Sequence, residues 1–209
     1  LYQFTRRKDY DIYVDRSDHP GIPAGFRDKP LVDPALYPGG EQHFPLIYDI
    51  HALARFSWDG AEQQRVDTVI DYILHPDYQA FPEGYGIMMA EKRKYYAIGW
   101  SVHLPGYFGF DDLSGWEARQ LVQCVVLLAH FPMARAHRWF RESLAHLETY
   151  RTERGTYVFP RPYLREGRSG YWVTGAYMGL EENRRSKQAL ELESTFWMLK
   201  MKKLLEIGD

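Results

Sequence analysis

Two stretches of the chain echo each other in a way that leaves few folds open. Gly84 is answered by Gly155, and Tyr95-Tyr96-Ala97-Ile98-Gly99 by Tyr171-Trp172-Val173-Thr174-Gly175. The helices predicted before them align as well, Val69 with Phe140 and Ile73 with Leu144. The period is about 71 residues, stretched by about five in the second loop, and a repeat of this kind means supersecondary units that bury their apolar faces against one another.

Each unit reads as a mainly apolar helix, an amphipathic helix and a glycine- and aromatic-rich hairpin. The first apolar helix is predicted over residues 44–56 and the first amphipathic one over 61–74, where Val66, Val69, Ile70 and Ile73 share a face behind the start signal Asp59-Gly60. A hairpin follows over 84–102, turning at Glu91-Lys92-Arg93. In the second unit the spacing predicts an apolar helix over 115–129, with Ser114 as its N-cap. A single amphipathic helix over 133–150 comes next, with Trp139, Phe140, Leu144 and Leu147 on one face and Arg135, Arg138, Glu142 and His146 toward the other. A second hairpin is predicted over 156–177, around a polar loop at 165–170. A last helix, 187–207, is apolar on several sides and opens a third unit.

Alternating fully covered and half-wet helices makes concentric layers, so the fold class is mainly α. We expect a partial α/α toroid of tandem helix pairs with β-hairpin insertions, the hairpins gathered at one rim. The toroid domain is expected to span 44–209, in units of about 44–107 and 108–180 and the final helix. Residues 1–43, broken by Pro20, Pro23, Pro30, Pro34 and Pro38 and by Gly21, Gly25, Gly39 and Gly40, read as an extended arm over that domain, with one short strand among Tyr10, Ile12, Tyr13 and Val14. Five helices fill only part of a ring. The expected partner is therefore the missing part of a longer chain or a second copy in a homo-oligomer, besides a small-molecule ligand; the start at Leu1 suits a processed or truncated piece.

Gly155-Thr156-Tyr157 and Tyr171-Trp172-Val173-Thr174-Gly175-Ala176, with their echo in Gly84-Tyr85-Gly86 and Tyr95-Tyr96-Ala97-Ile98-Gly99-Trp100, resemble the α/α-toroid superfamily that includes terpenoid cyclases and protein prenyltransferases. The resemblance covers residues 44–207 and implies a toroid with an aromatic-lined pocket for an isoprenoid-like or other apolar molecule. The acid motif Asp-x-Asp-Asp of proton-initiated cyclases is represented only by Asp111-Asp112, after Phe110, and the Asp, Cys and His zinc ligands of the prenyltransferases have no counterpart around Cys124. The fold carries over and the chemistry does not. Similar turns occur in toroid glycosidases and polysaccharide lyases, which keeps a carbohydrate-processing reading open; a non-catalytic scaffold that binds a protein is the third.

Composition removes other classes. The formal net charge of −2, from 26 basic and 28 acidic residues, argues against a binder of the nucleic-acid backbone, which would need a basic face. No apolar run approaches the roughly 20 residues of a membrane span, so the chain is expected to be soluble, and its low cysteine use suits a reducing, cytoplasmic compartment. The single cysteine, Cys124, excludes an internal disulfide and is expected to be buried in the run 121–128. Neither a metal nor a cofactor is expected, because phosphate-loop, His-Glu-x-x-His, Gly-x-Ser-x-Gly and Cys-x-x-Cys motifs are missing from the sequence.

Candidate site residues follow from placement. His103, Asp111 and Asp112 sit where a rim forms and suit an acid–base set, although a cap on the helix after them, made by Asp111, Asp112 or Ser114, is the stronger reading of the two aspartates. Asp49 and His51 interrupt an apolar helix and face either a cavity or a polar partner on the N-terminal arm. Tyr95, Tyr96, Trp100, Tyr171 and Trp172 suit an aromatic wall for a cation or a sugar, with Tyr96 or Trp100 expected to be exposed. Asp67, Asp71 and His75 fall on one helical face and read as a solvated surface rather than metal ligands. Arg161, Arg165 and Arg168 cluster in one loop and suit a carboxylate or phosphate, although a solvated loop is the stronger reading.

Overall fold

A computed structural model describes residues 3–4, 10–17, 19–36, 42–90, 94–111, 113, 115–164 and 188–206. Contacts divide the chain into two compact units, Leu1–Ile50 with Trp58–His103, and His51–Ser57 with Leu104–Asp209. Among the described residues the chain is mainly helical, with a four-stranded sheet in the first unit.

The residues of the predicted N-terminal arm are built into that first unit. Strand β1 (Gln3–Phe4) pairs in parallel with β4 (Gln42–His43). Strands β2 (Tyr13–Val14) and β3 (Leu31–Val32) join a sheet of order β2-β3-β5-β6, with β5 (Ile87–Ala90) and β6 (Lys94–Ala97) forming the expected hairpin. Its register sets Met88 opposite Tyr96 and Met89 opposite Tyr95. Strand β3 runs parallel to β5, and Ile12, Leu31 and Val32 are buried, so segments from the arm supply core. Helix α1 (Ile47–Leu53) is shorter than expected. Helix α2 (Gly60–Ile73) buries Val66, Val69, Ile70 and Ile73 as its periodicity requires, and a short α3 (Pro76–Gln79) follows.

A buried knot of tyrosines ties distant parts of this unit together. Tyr85 donates to the Pro45 carbonyl, Tyr78 and Tyr85 hydroxyls lie 2.6 Å apart, and the Val102 N–H donates to the Tyr78 hydroxyl at 3.0 Å. Gln79 donates to the carbonyls of Ile73 at 2.6 Å and Val102 at 3.0 Å. These bonds hold Tyr85 at φ 56°, a strained setting for a residue with a Cβ. Beside it Gly86, at φ 139°, brings its backbone so close to Pro30 that a Cβ there would lie 2.3 Å from the Pro30 carbonyl oxygen. Gly86→Ala is therefore expected to destabilise the first unit by about 1–3 kcal/mol, read as a lower urea midpoint; an unchanged midpoint would contradict this packing.

The second unit is built on α4 (Gly115–Leu128), buried on nearly every side, with Cys124 inside it as expected. Burial pushes the Cys124 thiol up to about 12, which leaves it a packing residue without thiolate chemistry. The single helix expected over 133–150 is two, α5 (Pro132–Ala136) and α6 (Arg138–Glu148). His137 breaks it: its backbone is extended and its ring Nδ1 accepts the Trp139 N–H at 3.2 Å, an N-cap made by an imidazole. Helix α6 buries Trp139, Phe140, Ser143 and Leu147.

The described part of the second predicted hairpin differs from the first. Tyr157 makes an isolated bridge to Arg151, and residues Arg161–Leu164 form a 3-10 turn. Pro160 and Pro162 have no N–H to give a ladder. The N–H groups of Tyr157 and Phe159 go to side chains of the last helix, α7 (Ala189–Glu206): Thr195 Oγ1 at 3.0 Å and Ser194 Oγ at 2.9 Å. What the two stretches share is the entry, since Gly84 and Gly155 both adopt φ 80°. Residues 165–187, with the second arm of that hairpin, lie outside the described residues, as do the turn at 91–93 and Ser114.

Helix α7 buries Met198 and Met201 and leaves Leu192, Phe196 and Leu199 exposed. Among the described residues no helix is long and apolar enough to cross a membrane.

Candidate functional site

The second unit gathers two tyrosines and a histidine on three short elements. Helix α6 carries His146 in its last turn, and Tyr150 follows one helical turn later, so their side chains stand together. Tyr163 comes from the 3-10 turn, closed by its N–H to the Pro160 carbonyl at 2.9 Å. The Tyr163 hydroxyl lies 2.7 Å from His146 Nε2, and the Tyr150 hydroxyl lies 3.5 Å from each of them. Phe110 stacks on the imidazole, ring centroids 4.8 Å apart.

The loop that brings Phe110 is fixed at both ends. Trp139 Nε1 donates to the Pro105 carbonyl at 2.8 Å. Gly106, at φ 71°, leaves the space the Phe110 ring fills, since a Cβ there would be 2.5 Å from it. Burial lowers the pKa of His146, so the ring is neutral at pH 7. Burial, with Tyr150 beside it, raises that of the Tyr163 hydroxyl. In the neutral tautomer that carries its proton on Nδ1, the Tyr163 hydroxyl donates and His146 Nε2 accepts, an acid and a base in contact with neither charged.

The same depression of pKa by burial affects His51 and His130, where Arg55 adds to it. Below the unfolded imidazole value of about 6.5 the unfolded chain binds protons that the folded one resists. Stability contributed by these three rings is therefore complete above that pH and is lost as the pH falls through the lower folded values. Urea midpoints measured from pH 7.5 down to 5 are expected to drop, and to drop less in His146→Asn; a midpoint that rises with acid would refute the sign.

The residues expected from sequence are spread over both units. His103 ends the first unit, half-buried, where it and Lys29 bear electrostatically on Glu83, whose carboxyl pKa burial raises. Asp111 belongs to the second unit and is exposed, one residue beyond Phe110. Asp112, Tyr171 and Trp172 lie outside the described residues, as do Arg165 and Arg168. Asp49 accepts the Leu46 N–H through Oδ2 at 2.8 Å and thereby caps the start of α1. His51 Nε2 lies 3.2 Å from Gln123 Nε2. Tyr96 is 51% exposed and Trp100 41%, while Tyr95 is half-buried. His75 caps α3, accepting the Asp77 N–H at 3.2 Å, and stacks on Tyr10, while Asp67 accepts from Gln63. Among the described residues no group of three or more His, Cys, Asp or Glu is placed to hold a metal.

His146, Tyr150 and Tyr163 were not among the expected site residues. The amphipathic pattern puts His146 on the wet face of its helix; the structure covers it with Phe110 and Tyr163. The i, i+4 pair of His146 and Tyr150 was the visible signal. Comparison with protein-family models, with curated proteins and with solved structures finds no match.

Proposed function

We propose that the chain is a helical, toroid-type enzyme of the carbohydrate-processing kind, with His146, Tyr163 and Tyr150 as its acid–base centre and β-elimination from a uronate polymer as its reaction. The observation that carries this is the 2.7 Å approach of Tyr163 to a neutral His146. The toroid order is supported by alternation: α4 is covered on nearly every side, whereas α2 and α6 bury one face.

Tyr163 holds its proton too tightly to stand as phenolate, so it acts as a relay. As its oxygen takes the proton from the carbon next to the substrate carboxylate, its own proton passes to His146 Nε2. The electron pair left on that carbon forms the new double bond as the glycosidic C–O bond breaks. The leaving oxygen takes a proton back from Tyr163, which is resupplied by His146. One proton moves, no water is consumed, and the residues end as they began. Glycoside hydrolysis would instead call for two facing carboxylates, whereas this centre is imidazole and phenol. Arg161, exposed two residues before Tyr163, is the group for the substrate carboxylate.

The test is incubation with uronate polysaccharides, following the ultraviolet absorbance of the unsaturated product, with a neutral polysaccharide as control. Absorbance that rises only with a uronate polymer supports the reading, and its absence with every such polymer removes it.

A second reading, binding of an isoprenoid-like or other apolar molecule, is favoured by the exposure of Tyr96 and Trp100 in the first unit. It requires saturable quenching of tryptophan fluorescence by a prenyl alcohol, reduced in Trp100→Phe.

A further inference from the structure

A second cluster in the same unit has a different character, and it does not depend on the reading above. His51 and Arg55 stand one helical turn apart, at the end of α1 and just beyond it. His51 meets Gln123 of α4 at 3.2 Å. His130, in the turn that ends α4, lies about two helical turns beyond Gln123 and so on the same side of that helix. Arg135 Nε donates to the Ala129 carbonyl at 2.7 Å, which fixes its guanidinium at that end of α4. Lys200 is exposed on α7, its ammonium over the Trp197 ring of the same helix at 4.8 Å, and near enough to His130 to bear on it electrostatically.

These groups repel one another. Lys200, Arg55 and Arg135 all bear electrostatically on His130, and Arg55 bears on Lys200 and on His51. Burial and this repulsion hold His130 and Lys200 below their ordinary pKa values. Among the described residues none of Arg55, His130, Arg135 and Lys200 takes part in an ion pair. The neighbouring cations of α7 are neutralised: Lys202 pairs with Glu148 at 2.7 Å and Lys203 with Glu206 at 3.4 Å. The carbonyl end of α4 accounts for Arg135 and His130, as cations gather at a helix C-terminus. It does not account for Arg55 and Lys200, which other elements bring in. Gln123 adds an independent sign. It is 5% exposed, and one end of its amide, Oε1, has no hydrogen-bond partner. Which end of the amide is oxygen is a matter of assignment; rotated, it would offer an N–H there.

We propose that His51, Arg55, Gln123, His130, Arg135 and Lys200 form a binding site for a phosphate-type dianion. The arginines supply forked N–H donors, Lys200 a point charge, and the two imidazoles donors that strengthen once an anion favours their protonation.

Inorganic phosphate is the probe, titrated into the whole chain by calorimetry at fixed ionic strength, with sulfate and chloride as competitors. Saturable binding displaced by sulfate and not by chloride is expected. Arg55→Gln and Lys200→Gln are each expected to weaken it about tenfold, the loss of one charge-assisted hydrogen bond. Lys203→Gln, the same charge change on the same helix, is expected to leave it unchanged. In the unaltered protein phosphate should raise the pH at which the His130 imidazole titrates, read by NMR, so the proposal is tested even if a variant fails to fold. It is overturned by lack of saturable binding, by chloride competing as well as sulfate, by equal losses in Lys203→Gln, or by a His130 titration that phosphate does not move.

Discussion

Tyr163→Phe is expected to lower turnover on the responsive substrate by about 100- to 10,000-fold, the range set by a positioned proton-transfer group. The hydroxyl is the atom 2.7 Å from His146 Nε2, and the substitution removes it while keeping the buried ring. KM should change little, because the loss is confined to the step in which the proton moves. His146→Gln should fall within the same range, and the double variant should be no worse than the poorer single one, since the two act as one relay. Tyr150→Phe should cost less, its hydroxyl being 3.5 Å from both partners. Turnover in Tyr163→Phe equal to that of the unaltered protein would remove the cluster from the chemistry. A loss accompanied by a collapsed melting transition would instead show Tyr163 to be a packing residue.

Trp139→Ala is expected to cost about 3–5 kcal/mol of stability in the second unit. Trp139 is the largest fully buried side chain described, and its indole N–H holds the Pro105 carbonyl at 2.8 Å. The deletion therefore opens a cavity and strands a carbonyl. At about 2–4 °C per kcal/mol for a chain of this length the melting midpoint should fall by about 6–20 °C. Trp139→Phe keeps most of the volume and loses the hydrogen bond, and should cost about 1–3 kcal/mol. A loss below about 1 kcal/mol in the alanine variant would contradict the packing described.

The parts of the fold legible in the sequence are those decided locally. Helices α2 and α4 fall within a residue or so of their predicted bounds, because Val66, Val69, Ile70 and Ile73 declare a face and the run 121–128 declares burial all round. The hairpin β5–β6 declares itself in the sequence by an apolar run, Ile87-Met88-Met89, and an aromatic one, Tyr95-Tyr96, on either side of the charged Glu91-Lys92-Arg93. What the pattern hid was decided at a distance. Leu31 and Val32 read as part of an arm until their pairing with Ile87 and Met88 makes them central strand residues. The break at His137 was hidden because an imidazole is not among the usual capping side chains. Hairpin symmetry over 156–159 gave way to two prolines and to hydroxyls from a helix more than thirty residues away. The candidate site follows the same rule: His146 and Tyr150 were readable as neighbours, whereas Tyr163 and Phe110 reach them only through tertiary packing.

Those two hydroxyls also bear on when the site can exist. Synthesis runs from the N-terminus, and a ribosome adds roughly 5–20 residues per second. Tyr157 and Phe159 therefore leave the exit tunnel before Ser194 and Thr195, the groups that take their N–H protons. Until residues 194 and 195 emerge, the segment leading to Tyr163 is held only by its own neighbours, through the Arg151–Tyr157 bridge and the Val158 N–H on the Tyr150 carbonyl, so its bonding is completed only after α7 has been made.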